Sequence, residues 1–417
     1  MKQMQHILII GFVWPEPNSS AAGSRMLQLI KLFISQNWKV TFASPAAETE
    51  HMTNLDDRNI SKEIITLNNS SFDNFIIKKQ PNIVVFDRFM IEEQFGWRVT
   101  KHCPNALKIL NTEDLHCLRK SREESFKNKE QFEIKNLLNT NITKREIASI
   151  YRCDLSLIIS DFEIQLLIET FKIDPDLLYY LPFLFSPITT ESKKNWPNYD
   201  DRKHFITIGN FRHEPNWNSI LYLKETIWPQ IKKELPEAEL HVYGAYPPPK
   251  ATQLHNPKEG FFIKGWTKDA KRVMSQARVC LAPLRFGAGI KGKLAEAMLC
   301  GTPSITTNIG AEGMLDEESD WNGFISDDPS TLTKAAIRLY NDKNLWLQSQ
   351  QNGIGIINTR FQKKEFSTTF IKQIHKIQDN LAEYRTKNFI GNMMQYHTMR
   401  STEFMSRWIE EKNKIKE

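Results

Sequence analysis

Residues 283–303 read PLRFGAGIKGKLAEAMLCGTP, a stretch that passes from an apolar run through a glycine-rich loop into a helical pattern. Such a loop lets backbone N–H groups approach phosphate oxygens, and the amino terminus of the following helix adds positive partial charge. Lys291 and Lys293 place two cations here, and Glu296 places a carboxylate in the first turns of the helix. The stretch therefore predicts a strand–loop–helix unit that binds an anionic ligand.

Strands and helices alternate on both sides of this stretch, which is typical of parallel sheets flanked by helices. Short apolar runs bounded by turn residues predict the buried strands. These runs are 6–11, 40–43, 83–87, 155–160, 205–209, 239–243, 261–263, 279–282 and 304–307. Because 417 residues suffice for two such units, we predict an α/β protein with two Rossmann-like, doubly wound domains.

The composition becomes polar and turn-forming between residues 187 and 203, which indicates an interdomain linker. The predicted organisation is a first domain over 1–186, a linker over 187–203, a second domain over 204–375 and a helical extension over 376–417. In the second domain Pro215 opens a helix, and Pro229 is expected to break that helix and start another at Gln230.

Bulk composition excludes several classes of protein. An apolar share of 40% and a charged share of 25% are ordinary for a globular protein, and no apolar run reaches the roughly 20 residues of a membrane span. The net charge of +6 comes from scattered basic residues, so we expect no nucleic-acid partner. Five cysteines without metal-ligand spacing and a short amino-terminal apolar run predict a cytoplasmic protein with reduced thiols.

The segment after residue 373 is helical in pattern, highly charged and rich in large apolar residues. These residues are Phe389, Ile390, Met393, Met394, Tyr396, Met399, Phe404, Met405, Trp408 and Ile409. Two interpretations remain open: a terminal helix that packs on the body of the protein, or a face that contacts a partner or, peripherally, the inner face of a membrane.

The opening stretch, with TTNIGAEG behind it at 306–313, resembles the donor half of the family-four retaining glycosyltransferases, or glycosyl transferases group 1. Shorter matching motifs lie at 208–212 (IGNFR), 242–244 (VYG), 264–266 (KGW) and 277–279 (ARV) in the second half, and more loosely at 111–116 (NTEDLH) and 145–147 (REI) in the first. The resemblance covers about residues 6–375. It implies the GT-B architecture, in which two Rossmann-like domains face each other across a cleft and the second domain holds a nucleotide-sugar donor.

The resemblance also implies roles for single residues. Glu296 matches the second glutamate of the family's Glu-x7-Glu motif, which holds the ribose hydroxyls. Arg212, with Lys291 or Lys293, matches the basic groups that stabilise the leaving nucleoside diphosphate. The other implied donor-site residues are Gly209, Asn210, Gly265, Trp266, Gly287, Ala288, Gly289 and Ile290.

No metal and no cofactor beyond the nucleotide-sugar co-substrate are implied by the resemblance. The sequence does contain one Asp-x-Asp, Asp174-Pro175-Asp176, but its proline-bearing turn argues against a metal role. The implied acceptor is a glycan, a lipid-linked molecule or a protein.

One position departs from the family pattern. The first glutamate of the motif falls at position 288, which is alanine here. Two explanations stay open: the backbone of Gly287, Ala288 and Gly289 replaces that glutamate, or the sugar is bound differently.

The first half supplies three candidates for the acceptor side. His116 matches the histidine that relatives place near the transferred sugar, and its alternative is a structural histidine. Asp87 ends a predicted strand, where cleft residues of open α/β sheets lie, and its alternative is a helix cap or turn. Gly23 would let the following helix begin close to the cleft.

Other functions fit part of the pattern. A sugar-binding or scaffold protein that kept the fold but lost turnover is favoured by Ala288, and a nucleotide-sugar epimerase would share the donor site. A NAD-dependent dehydrogenase is disfavoured because no Gly-x-Gly-x-x-Gly follows the first strand.

Overall fold

The computed structural model describes residues 4–56, 60–316 and 319–415, apart from the side chains of residues 398 and 399. Met399 of the apolar tail cluster therefore lies outside the described side chains. The chain forms two sheets, of seven and six strands, flanked by helices. This arrangement confirms the predicted pair of Rossmann-like, doubly wound α/β domains.

The first sheet is parallel throughout and has the order β3-β2-β1-β4-β5-β6-β7. Its strands are β1 (His6–Ile10), β2 (Lys39–Ser44), β3 (Ile60–Ile64), β4 (Ile83–Asp87), β5 (Leu107–Glu113), β6 (Leu155–Ile158) and β7 (Leu178–Tyr180). Along β1, Ile7 and Ile9 pack into one core and Leu8 and Ile10 into another. The strand is continuously apolar because both of its faces are covered by helices.

Seven helices follow the strands of the first domain. They are α1 (Ala21–Ser35), α2 (Ser71–Lys79), α3 (Phe89–His102), α4 (His116–Lys127), α5 (Ile134–Leu138), α6 (Asn141–Arg152) and α7 (Asp161–Phe171), with a 3-10 turn at Pro175–Leu177. Ser20 fixes the start of α1, because its side chain accepts a hydrogen bond from the Gly23 N–H at 3.1 Å. The order of the sheet reverses between β1 and β4, so their carboxyl ends open a crevice beside α1.

The second sheet is also parallel and has the order β10-β9-β8-β11-β12-β13. Its strands are β8 (Lys203–Ile208), β9 (Leu240–Tyr243), β10 (Phe261–Gly265), β11 (Ala277–Ala282), β12 (Ser304–Thr306) and β13 (Gly323–Ile325). The order reverses between β8 and β11. The glycine-rich loop and α13 follow β11, so the predicted anion site lies at this second switch point.

The helices between residues 190 and 360 vary widely in length. They are α8 (Thr190–Lys193), α9 (Glu214–Tyr222), α10 (Trp228–Glu234), α11 (Pro249–Thr252), α12 (Ala270–Gln276), α13 (Gly292–Leu299), α14 (Asn308–Ala311), α15 (Pro329–Asn341) and α16 (Lys343–Arg360), with 3-10 turns at Tyr199–Asp201 and Pro257–Glu259. The predicted break at Pro229 was wrong. A π-helical turn, Leu223–Ile227, joins α9 to α10 without interruption, and its wider winding accommodates the missing proline N–H.

The predicted linker ends near Arg202, which is fixed to the second domain by hydrogen bonds. Arg202 is fully buried, and its guanidinium donates hydrogen bonds to the carbonyls of Pro197 (3.0 Å) and Cys300 (3.0 Å) and to the Thr302 hydroxyl (2.8 Å). These bonds tie the chain to the second domain just before β8.

The chain then returns to the first domain through α17 (Lys363–Asp379), α18 (Leu381–Lys387) and α19 (Phe389–Lys414). Phe370, Ile374 and Ile377 of α17 are buried in the same core as Phe33 of α1. The predicted domain end at residue 375 therefore falls inside a helix that packs on the first domain.

The last helix, α19, packs on α3 and α6 along one side. Arg98 donates a hydrogen bond to Ser406 at 3.1 Å, and Glu410 accepts one from the Ser70 hydroxyl at 2.6 Å. The opposite side keeps large residues exposed, including Phe389 (73%), Phe404 (67%) and Trp408 (57%). Within the described residues, no helix combines the length and apolarity needed to cross a membrane.

Candidate active site

A cavity of about 910 Å³ separates the carboxyl ends of the two sheets and is lined by both domains. The start of α1 forms one wall, with Ser20, Ala21 and Ala22. The loop before α13 and the start of that helix form the facing wall. Large, partly polar cavities at the switch points of open α/β sheets are the usual place for a ligand.

The amino termini of α1 and α13 meet across this cleft. A Cβ added to Gly292 would lie 2.4 Å from the Cβ of Ala21, so only glycine permits this approach. Because both helices begin at the cleft, the partial positive charge of two helix dipoles favours an anion there.

Lysine ammonium groups strengthen that field. Lys293 donates a hydrogen bond to the Asn216 side-chain carbonyl at 2.8 Å, and burial lowers the pKa of Lys293 to about 8. Lys291 donates one to the Gly289 carbonyl at 2.7 Å. Burial also lowers the pKa of Lys291 to about 8, although Glu312 partly opposes that shift.

The end of β8 brings three predicted donor-site residues to the cleft. At Gly209, an added Cβ would lie 2.6 Å from the Asn216 amide nitrogen and 2.9 Å from the Lys293 ammonium. Asn210 donates a hydrogen bond to the Ser19 hydroxyl of the first domain at 3.1 Å. The exposed Arg212 guanidinium lies over the Tyr246 ring, with its Cζ 3.7 Å from the ring centre, and Arg212 also lines the cleft.

Glu296 points from α13 into the same cavity, and burial raises the pKa of its carboxyl group. Within the described part of the chain it has no hydrogen-bond or ion-pair partner, so its oxygens are available to ligand hydroxyls. Trp266 lines the cleft too, with its indole N–H donating to the Asn18 carbonyl at 3.0 Å. Gly265 ends β10 at φ +71° and lies behind the cleft wall, where it turns the chain toward Trp266.

The loop that carries Ala288 is docked on the first domain. Ala288 is 9% exposed and packs against the apolar core of that domain. The Gly289 N–H donates to the Glu163 carboxylate at 2.9 Å, and the Gly287 carbonyl accepts from Arg122 at 2.9 Å. Ala288 also lines the cavity, but its methyl group meets an apolar surface of the other domain, which suits it better than a carboxylate. Ile290 is also buried in this contact region.

Two side chains of this contact were not among the predicted site residues. Arg122 forms a paired contact with both oxygens of Glu312 at 2.8 Å, joining α4 to the second domain. Glu163 also accepts the Leu115 N–H at 2.9 Å, and burial, with the nearby Asp114 charge, raises the pKa of Glu163 to about 8. No local sequence pattern marks either residue, because their partners in the second domain lie more than a hundred residues away.

On the acceptor side, the structure brings His116 to the cleft at the start of α4. Its Nδ1 lies 3.2 Å from the Asp114 carbonyl, its backbone N–H donates to Glu146 at 3.1 Å, and its ring meets the edge of Phe89 at 5.7 Å. These contacts hold the imidazole in one orientation at the surface of the cavity.

Asp87 and Gly23 lie behind the cleft wall. Asp87 is 4% exposed and accepts a hydrogen bond from the Phe12 N–H at 3.2 Å. An added Cβ at Gly23 would meet the backbone of Glu16 at 2.4 Å, so this glycine lets the preceding loop lie on α1. Both residues shape the wall, and neither lines the cavity that the acceptor would enter.

Glu113 lines the cleft although it is not among the predicted site residues. It ends β5 with a positive φ of +64°, which is uncommon for a residue with a side chain. Burial raises the pKa of the Glu113 carboxyl group above its ordinary value, against the opposing charge of Arg25. The sequence signal that could have identified Glu113 is the NTEDLH motif at 111–116, which begins inside β5, a strand that the apolar runs do not predict.

Among the described residues, one trio has the geometry for a metal ion, namely His204, Glu239 and His241. It lies at the amino ends of β8 and β9, whereas the cleft lies at their carboxyl ends. Asp174 caps a 3-10 turn by accepting the Asp176 N–H at 2.9 Å.

The second domain, which forms one side of this cleft, matches a known protein family. Residues 202–342 match the family described as Glycosyl transferases group 1. No curated protein matches the chain.

Several solved structures share the fold over nearly their whole length. A sucrose-phosphate synthase from Thermosynechococcus elongatus has a TM-score of 0.63 and 16% identity, covering 89% of this chain and 99% of its own. TarM from S. aureus, solved with fondaparinux, alpha-GlcNAc-glycerol and UDP, has a TM-score of 0.66 and 10% identity over 89% and 99%. HepE from Anabaena, in complex with UDP and glucose, has a TM-score of 0.64 and 13% identity over 88% and 99%. The chain therefore has the two-domain GT-B fold, and its residues 202–342 match the glycosyl transferases group 1 family.

Proposed function

We propose that this protein is a glycosyltransferase that moves a sugar from a nucleoside diphosphate sugar to a glycan, lipid-linked or protein acceptor. One arrangement supports the proposal above all. The start of α13, the Lys293 ammonium and the Arg212 guanidinium converge on a cleft that also holds the free Glu296 carboxylate. This is the set of groups that a nucleotide diphosphate needs at one end and a ribose at the other.

Each of these groups has a different role in the proposed reaction. The bond from the anomeric carbon to the diphosphate breaks, and Lys293 and Arg212 stabilise the charge that grows on the leaving phosphate. The acceptor hydroxyl forms the new bond on the same face, and its proton passes to a phosphate oxygen of the leaving group, which gives retention. His116 borders the reacting centre from the first domain. The cations fill the charge-neutralising role, so we propose that no metal and no further cofactor takes part.

Replacing Arg212 by alanine is expected to weaken UDP binding by about tenfold to a hundredfold, because a charged hydrogen bond contributes about 1.5–3 kcal/mol. Calorimetry with UDP measures the effect. The contact of Arg212 with the Tyr246 ring provides a control. Tyr246→Leu keeps the guanidinium and should therefore weaken UDP binding less than Arg212→Ala does. Equal UDP affinity in wild type and Arg212→Ala would refute the assigned role.

Turnover distinguishes the proposal from its two alternatives. TarM and HepE were both solved with UDP, so UDP-sugars are the first donors to screen. Thermal stabilisation detects binding, and assays of transfer and hydrolysis then detect turnover. A scaffold protein would bind without any turnover, and an epimerase would convert the donor without an acceptor. Glu296→Ala is the matched variant, which should lose ribose contacts and therefore donor affinity.

We further propose that the protein is cytoplasmic and contacts an anionic membrane surface peripherally through the exposed side of α19. Aromatic side chains there lie beside cations, with Arg400 5.1 Å from the Tyr396 ring centre and Lys412 4.8 Å from that of Trp408. A helix with an apolar, aromatic stripe and flanking basic groups is suited to the lipid headgroup region.

The double substitution Phe404→Ser and Trp408→Ser should lower recovery with vesicles that contain anionic lipid, because it removes two exposed apolar anchors. Flotation measures the recovery. Neither side chain is buried, so the melting temperature should stay unchanged. Unaltered flotation would leave the helix without a role at the membrane and would contradict this proposal.

A further inference from the structure

A second cavity, of about 520 Å³, lies between α1 and α17 at the place where the chain crosses between the domains. We call it the hinge groove. Ser186 and Pro187 of the first crossing line it, and so do Lys363 and Lys364 of the return crossing. The two crossings are joined directly, since the Lys363 N–H donates to the Phe185 carbonyl at 3.0 Å.

The charged side chains that line the hinge groove, among the described residues, are all basic. Four lysines line the groove, namely Lys31, Lys363, Lys364 and Lys372, and within the described part of the chain no aspartate or glutamate lines it. Across the described residues, none of these four ammonium groups has an ion-pair partner. Lys364, Thr368 and Lys372 are spaced four residues apart on α17, so they share one side of the helix. Such a cluster of like charges is self-repelling until an anion enters it.

Ser367, on the same helix as Lys364 and Lys372, also lines the groove. Its hydroxyl is buried, and none of the described residues forms a hydrogen bond with it. The neighbouring hydroxyls are already used, since Ser35 donates to the Leu32 carbonyl at 2.6 Å and Thr368 to the Lys364 carbonyl at 2.8 Å. A buried polar group without a partner usually meets a ligand or an ordered water.

The hinge groove adjoins the cleft through α1. Lys31 lines both cavities, while Leu27 and Gln28 line only the cleft and Ser35 lines only the groove. A ligand that leaves the cleft along α1 would therefore pass Lys31 and reach the other lysines.

We propose that the hinge groove binds the phosphate groups of an anionic acceptor whose reacting end lies in the cleft. The assignment to an acceptor rests on the transferase proposed above, whereas the anion site itself rests on the four lysines and the Ser367 hydroxyl. Ammonium groups on long, flexible stems suit a chain of phosphates, which demands charge rather than a fixed planar geometry. Phosphates bound here would also bridge the two domains at their hinge.

Inorganic tripolyphosphate is the probe, titrated by calorimetry into protein already saturated with UDP so that the donor site is occupied. Wild type should bind it, and Lys364→Gln with Lys372→Gln should weaken that binding at least tenfold. Lys364→Arg with Lys372→Arg should restore most of the affinity because it restores the charge. A matched control, Lys258→Gln with Lys334→Gln, removes two exposed lysines elsewhere and should leave binding unchanged.

Two results would overturn the proposal: absence of tripolyphosphate binding to the UDP-saturated wild type, or an equal loss in the control variant. UDP affinity, measured on the same variants, should not change, so failure of the groove is separable from failure of the donor site. Vesicles with phosphatidylglycerol, compared with phosphatidylcholine, identify the source of the phosphate. Displacement of tripolyphosphate by the former assigns a lipid headgroup, and lack of displacement assigns a soluble phosphate chain.

Discussion

Replacing Lys293 by methionine should lower the rate of sugar transfer by about 10²- to 10³-fold, the effect of removing one preorganised group that stabilises developing negative charge. The Lys293 ammonium lies at the start of α13, held by Asn216 at 2.8 Å, where the leaving diphosphate would meet it. Methionine is an apolar side chain of similar size, so it removes the charge and the N–H donors, including the bond to Asn216. Transfer from a UDP-sugar, measured at saturating donor, reports the loss.

The same variant should change how donor binding depends on pH. Burial lowers the pKa of Lys293 to about 8, so in wild type this cation is lost as the pH rises through 8, and UDP affinity should fall between pH 7 and 9. That fall should shrink in Lys293→Met. Lys334→Met, at an exposed position, is the control. A pH profile of UDP affinity identical to that of the wild type would exclude Lys293 from the diphosphate site.

The stability of the protein should respond in the opposite direction. A lysine whose pKa is lowered from 10.5 to about 8 binds fewer protons in the folded than in the unfolded state between those values. Its contribution to the free energy of unfolding therefore rises with pH across that window. This rise should be absent in Lys293→Met, and denaturant unfolding at pH 7 and 9.5 measures the difference between the two proteins.

Much of the architecture follows from the sequence because buried parallel strands are short, continuously apolar and separated by helices. The strand β5 escaped prediction because its sequence, LKILNTE, contains polar residues that are nonetheless buried. Their partners come from elsewhere in the fold: the Lys108 ammonium bonds to Thr100 at 3.2 Å, and the Lys108 N–H bonds to Asp154 at 2.8 Å. Polar residues satisfied by distant partners erase the pattern that marks a buried strand.

The candidate site divides in the same way. Most of the proposed phosphate-binding half lies within one stretch, 287–296, so its loop, two lysines and carboxylate could be predicted together, whereas Arg212 follows β8. The half that joins the domains depends on contacts such as that of Glu163 with Gly289, which exist only once the two sheets face each other. Asp87 ends a strand at a switch point, as predicted, but the loop that follows β1 covers it.

Adding one methyl group at Gly292 should test whether the close approach of α13 to α1 across the cleft is needed for transfer. In Gly292→Ala the new Cβ would lie 2.4 Å from that of Ala21, so the two domains cannot approach as they do. A misplacement of about 1 Å at a reacting centre can cost about a hundredfold in rate. We expect a loss of that order in transfer, together with a more open cleft by small-angle scattering, and no loss of thermal stability in either domain.

The rescue variant combines Gly292→Ala with Ala21→Gly and moves the methyl group to the other wall. With the Ala21 Cβ removed, the nearest neighbours of the new methyl group are a Phe183 ring carbon at 3.4 Å and the residue 21 Cα at 3.6 Å, which are close to ordinary contact distances. Transfer and closure should both return, while Ala21→Gly alone should remain near wild type. If the double variant stayed as inactive as Gly292→Ala, the defect would lie within α13 itself, and closure against α1 could not be its cause.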